Sequence, residues 1–166
     1  MTGAAEVDFT LLDKQLVALV ADEADPLANT ANFVGLLHHS IPSINWLGIY
    51  VLRGEDLVLG PFQGKPACVR LPVGQGVCGT AARTLKTIRV ADVNEFPGHI
   101  ACDPASNSEI VVPLMLGGKL AGVLDIDSPR RARFTERDQR GLEMLCRTFT
   151  DELSKKDAAV DRTAFI

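Results

Sequence analysis

Four cysteines occur in the chain, at positions 68, 78, 102 and 146, and three of them sit in unusual surroundings. Cys102 lies in HIACDPASNSE, between a short apolar pair and a run of Asp, Ser and Asn. Cys78 lies in GQGVCGT, and Cys68 closes GKPAC. A thiol in irregular sequence is reachable, and its thiolate is both a nucleophile and a metal ligand. In redox chemistry a thiolate attacks an oxidised substrate and becomes a sulfenic acid, which a second thiol condenses to a disulfide. Cys102 on a loop, with Cys78 near a helix start and Cys68 as partner for either, fits that demand; a helix N-terminus would stabilise a thiolate at Cys78. Zinc is a second reading, with His99 as a fourth ligand, although no close C-x-x-C pair is present. Three unrelated buried thiols are the third. Cys146 lies on the apolar stripe of a helix and reads as packing.

The carboxylates form a second constellation. In LDIDS, Asp125 and Asp127 are two apart on a strand and share a face, while Ile126 takes the other. Like charges so close are costly unless a proton or a cation lies between them. Glu109 opens the neighbouring strand. These groups either cap turns in solvent or line a pocket for an ammonium group, with one carboxyl raised in pKa to serve as an acid. Trp46, the single tryptophan, either packs in the core or walls that pocket.

The elements that must position these residues follow from periodicity. Phe9, Leu12, Leu16, Leu19 and Val20 predict a helix over 8–23. Asp25-Pro26 starts a second helix with the stripe Leu27, Ala31, Val34, His38 and Ile41, ended by Pro42. WLGIYVL, apolar on both faces, predicts a central strand that turns through Gly54-Glu55-Asp56 into DLVLGPF. ACVRL predicts a third strand, VGQGVCGTAARTL a short helix and IRVADV a fourth strand. Asn94 to Ser108 has no periodicity, and loops of that length inside a compact domain are usually functional. EIVVPLML and KLAGVLDID form a hairpin across Gly117-Gly118. Thr135 caps a last helix whose stripe is Leu142, Leu145, Cys146, Phe149 and Leu153; the tail from Lys155 is polar. Consecutive strands with helices at both ends imply an α+β fold with an antiparallel sheet.

A chain of 166 residues favours one domain, and 46% hydrophobic with 23% charged residues is ordinary for a globular protein. A net charge of −4 disfavours generic nucleic-acid or anionic-membrane binding. Met1 is followed by no signal-peptide core, and no apolar run reaches membrane-helix length, so a cytosolic address with reduced thiols is expected.

Read together, Trp46-Leu-Gly-Ile-Tyr, GPFQGKPAC, VGQGVCGTA, GHIACDPASNSEIVVPL, GKLAGVLDIDS and RFTERDQRGLE resemble the free methionine-(R)-sulfoxide reductases, which are GAF-domain enzymes. The resemblance spans residues 44–143. It implies a single GAF-like domain, with a six-stranded antiparallel sheet flanked by N- and C-terminal helices and often paired as a homodimer. It implies Cys102 as the attacking thiolate, a role that the position of Cys78 takes in some members, and Cys78 and Cys68 as resolving thiols whose order differs among members. It implies Trp46, Glu109, Asp125 and Asp127 as the substrate pocket, free methionine sulfoxide as substrate, a thioredoxin-type protein as reductant, and no metal or organic cofactor. A non-catalytic ligand-sensing GAF module is the rival.

Overall fold

The computed structural model describes residues 6–156. Helices α1 (Phe9–Val20) and α2 (Pro26–Ser40) precede strands β1 (Trp46–Arg53), β2 (Asp56–Gln63) and β3 (Arg70–Pro72). Helix α3 (Gly76–Thr84), strand β4 (Ile88–Val90), a 3-10 turn at Val93–Glu95, the hairpin β5 (Ser108–Leu116) and β6 (Lys119–Ser128), and helix α4 (Glu136–Lys156) complete the order. The six strands form one antiparallel sheet ordered β3-β2-β1-β6-β5-β4. β1 and β6 are therefore central, as the two-sided apolar character of WLGIYVL requires.

Both faces of the sheet are covered. Leu47, Ile49, Val51, Ile110, Val112, Leu124 and Ile126 point to the side packed by α1, α2 and α4. The alternate residues Trp46, Tyr50, Val111 and Val123 point to the side packed by α3. Cys146 is buried in the first of these layers, and burial pushes its thiol pKa up, so it is a packing residue. Among the described residues no helix is long and apolar enough to cross a membrane.

Local signals set the helix starts. The Asp8 carboxylate accepts from Leu11 N at 3.0 Å, and Asp25 accepts from Ala28 N at 2.9 Å ahead of Pro26. Before α4, Thr135 and Asp138 cap each other: Asp138 N donates to Thr135 Oγ1 at 3.2 Å, and Thr135 N donates to Asp138 Oδ2 at 2.8 Å. Arg133 Nη1 holds the same carboxylate at 3.2 Å. Thr135→Ala removes one half of this reciprocal cap, and the expected loss is about 1 kcal/mol of stability in chemical denaturation, with activity unchanged.

The structure departs from the sequence pattern in a few places. The stripe of α2 is rotated: Asn29, Thr30, Phe33, Val34 and Leu37 are buried, whereas Leu27 is 49% exposed. Thr30 Oγ1 donates to Pro26 O and Asn29 Nδ2 to Glu23 O, which satisfies the donors of the two buried polar residues, while Asn29 Oδ1 has no partner. Phe33 stacks on Phe149 of α4 with ring centroids 4.2 Å apart, which fixes the rotation. On α1, Leu19 leaves the buried stripe. The third strand starts at Arg70, so Cys68 belongs to the loop before it, and the fourth stops at Val90. Lys155 and Lys156 still belong to α4, and the rest of the tail lies outside the described residues.

Candidate active site

The register of the sheet brings the acidic residues together. Asp127 lies opposite Trp46 on one side and Glu109 on the other, and Asp125 lies opposite Gly48 and Val111. Directly opposed residues project to the same face. Glu109, Asp125 and Asp127 therefore face α3 together with Trp46 and Tyr50, and they line a cavity of about 40 Å³. Gly48 makes room for the wall: a Cβ built there would collide with the Trp46 indole and with Phe62. The indole stacks on Phe62 at 5.5 Å and on Tyr50 at 5.9 Å.

Helix α3 closes the opposite side. Cys78, its third residue, donates to Glu109 Oε1 at 3.9 Å. The sequence reading of Cys78 as a thiolate stabilised by a helix start is corrected here. Burial, with Asp125 and Glu109 beside it, pushes the thiol well above its usual range, opposite to the shift a helix start would give. Burial likewise raises Glu109, Asp125 and Asp127, and each has a neighbouring carboxylate that raises it further: Asp127 for Glu109, Glu109 for Asp125, Asp125 for Asp127. Three carboxyls held this closely in a dry pocket retain protons that exposed carboxyls would lose.

Two loops form the mouth. The residue 64–69 loop carries Cys68, and it is held from below by two site residues: Trp46 Nε1 donates to Lys65 O at 3.0 Å and Tyr50 Oη donates to Cys68 O at 2.9 Å. The residue 96–107 loop carries His99 and Cys102. Asn45 Nδ2 donates to Ser106 Oγ at 3.1 Å and to Asp103 Oδ2 at 3.4 Å, and Lys65 pairs with Asp103 at 3.6 Å, so one loop is tied to the other. The backbone amide of Ala105, and Lys65 after it, hold Asp103 below the usual carboxylate range. Cys68 and Cys102 are joined in a disulfide with Cα atoms 5.7 Å apart. Cys78 is free and buried. A zinc set of Cys68, Cys78, Cys102 and His99 is ruled out in this state, because two of its sulfurs are bonded to each other.

All seven residues singled out in the sequence converge on this region: Trp46, Cys78, Cys102, Glu109, Asp125 and Asp127 line the cavity, and Cys68 is bonded to Cys102. Sequence reasoning overlooked Tyr50, Lys65 and Asn45. Tyr50 had a signal, since it shares the strand face of Trp46 at spacing four. His99 emerges not with a zinc set but against Glu109, with Nε2 at 3.5 Å from Oε2. Burial lowers the His99 pKa, which favours the neutral imidazole beside Glu109.

Fold and site define a GAF domain, and the GAF domain family matches residues 14–153. Relatives narrow this further. The chain is 54% identical to Protein YtsP of Bacillus subtilis over 156 residues, covering 93% of this chain and 96% of that protein. It is 51% identical to the free methionine-R-sulfoxide reductase of Escherichia coli over 146 residues, covering 88% of each. A structure of fRMsr of Staphylococcus aureus in complex with substrate superposes with a TM-score of 0.86 at 46% identity, covering 92% of this chain and 99% of that one. The chain belongs to the free methionine-R-sulfoxide reductase family of GAF-domain proteins.

Proposed function

We propose that the protein reduces the (R)-sulfoxide of free L-methionine to methionine, with Cys102 as nucleophile and Cys68 as the resolving thiol. The observation that carries this reading is the Cys68–Cys102 disulfide at the mouth of a cavity floored by Glu109, Asp125 and Asp127. A sulfoxide is a weak electrophile until its oxygen is protonated, and a protonated carboxyl on the floor supplies that proton. The Cys102 thiolate attacks the sulfoxide sulfur, and the oxygen passes to Cys102 as a sulfenic acid while methionine leaves as the thioether. Cys68 attacks that sulfur, the S–S bond forms and water departs. Two thiols are oxidised as one sulfoxide is reduced by two electrons. A dithiol protein of the thioredoxin type then exchanges with the disulfide and restores both thiols. The mouth is where that exchange takes place. A homodimer and a reducing cytosolic setting belong to the same reading.

The remaining carboxylates bind the substrate ammonium, and Trp46 packs against its S-methyl group. An acylated amine carries no such charge and leaves the buried carboxylates unpartnered. Free methionine-(R)-sulfoxide is therefore expected to react about 10⁴-fold faster in kcat/KM than its N-acetyl derivative. The experiment assays free (R), free (S) and N-acetyl sulfoxides with a dithiol reductant and maps the disulfide by mass spectrometry. Loss of two thiols per turnover, at Cys68 and Cys102, supports the reading. No thiol loss with any sulfoxide points to the sensing module instead.

A further inference from the structure

Cys78 is a buried thiol that the proposed reaction does not consume. Its sulfur, one Glu109 oxygen and one Asp125 oxygen lie within 4.8 Å of one another, all buried. The Cys78 Sγ to Glu109 Oε1 separation is 3.9 Å. Asp125 is 6% exposed, and its Oδ1 is enclosed without a well-aligned hydrogen-bond donor, although the Cys78 and Glu109 side chains adjoin its carboxyl. An unpartnered carboxylate oxygen at that depth is costly, and a bound cation is one way of satisfying it. His99 Nε2 stands 3.5 Å from the other Glu109 oxygen. We infer that Cys78, Glu109 and Asp125 form a site for a borderline-soft divalent cation such as zinc, with solvent as a further ligand, occupied in place of substrate.

The donor set decides the class of ion. One sulfur and two carboxylate oxygens suit zinc or cobalt, whereas magnesium and calcium require more oxygens and no sulfur. Tetrahedral zinc with one sulfur and two oxygens needs those atoms about 3.3–3.5 Å apart. The Cys78–Glu109 pair is already close to that spacing. Binding involves no electron transfer: the Cys78 thiol releases its proton to solvent, and its thiolate joins the metal. The ion and the substrate ammonium would use the same carboxylates, so the two exclude each other. That exclusion rests on the proposed function, whereas the metal site does not.

The test uses the disulfide form of the full chain, in which Cys78 and Cys146 are the free thiols. Cys146 lies in the other core layer and serves as the control. Titration with cobalt(II) is expected to give one equivalent per chain, with thiolate-to-metal charge-transfer absorption and the visible bands of a tetrahedral ion, all reversed by a chelator. The charge-transfer band should vanish in Cys78→Ser and persist in Cys146→Ser. Asp125→Asn should weaken binding by at least about tenfold, the loss already typical when only the partner of a metal ligand is removed. If Cys78→Ser does not fold, Asp125→Asn decides. Absence of the band in the folded native chain, its retention in Cys78→Ser, or unchanged affinity in Asp125→Asn overturns the site. With the reduced protein, zinc should raise KM for methionine sulfoxide and leave kcat unchanged. A chain that binds cobalt and reduces no sulfoxide refutes the proposed function alone, and one that reduces sulfoxide without the cobalt band refutes the metal site alone.

Discussion

Cys102→Ser is expected to lower sulfoxide reduction by at least about 10⁴-fold, with no methionine released even in a single turnover. A serine hydroxyl is not ionised near neutral pH and is a far weaker nucleophile than a thiolate, so the first bond to sulfur does not form. Cys68→Ser gives a contrasting result. Attack by Cys102 survives, one methionine is released per chain, and the reaction stalls at a sulfenic acid that a dimedone-type reagent traps on Cys102. Cys78→Ser should still form the Cys68–Cys102 disulfide, because Cys78 is held at the carboxylates rather than at the mouth. Rapid-quench measurement of methionine with mass mapping of each variant separates the three thiols. Full single-turnover release from Cys102→Ser would move the nucleophile to Cys78 and overturn the assignment.

The two thiols and the acids differed in how much of their arrangement the sequence revealed. The shared face of Asp125 and Asp127 is a matter of strand period two and was legible. The pairing of Glu109 with Asp127 was not: counted back from the Gly117-Gly118 turn, Glu109 would meet Ile126, and an irregularity between Leu114 and Met115 shifts it onto Asp127. The helix terminus at Cys78 was legible too, but its effect was not, because that depends on which residues cover it in three dimensions. Asn45 meets Asp103 across 58 residues of sequence and Lys65 meets it across 38 (103 − 65), and nothing periodic links them. The rotation of α2 escaped for a related reason. Asn29 and Thr30 look like surface residues until their side-chain donors are seen to reach nearby backbone carbonyls. Apolar spacing reports the buried face only when the buried residues are apolar.

Asp127→Asn is expected to lower kcat/KM by about 10²–10³-fold while the folded protein becomes more stable at alkaline pH. The two effects have one cause. Asp127 sits opposite Trp46 in the cavity, with its carboxyl raised by burial, by Asp125 and by Asp103. Glu109 and Cys78 border the same space. A carboxyl raised in this way is protonated where an ordinary one, with a pKa of about 4, is already ionised, so it donates a proton to the sulfoxide oxygen. The folded state then binds protons more tightly than the unfolded chain. The stability that Asp127 contributes is full below the ordinary carboxylate range and declines as pH rises through the raised value. The asparagine cannot ionise, so it loses the proton donor and also the repulsion that builds as pH rises. In the presence of a chelator, the native enzyme should lose activity on the alkaline side, and the residual activity of the variant should follow a flatter profile. Thermal melts at acid and alkaline pH should show a smaller drop for the variant than for the native chain. A variant with native activity, or one that melts lower than the native chain at alkaline pH, would mean that Asp127 is an ionised structural carboxylate, and the acid role would pass to Glu109.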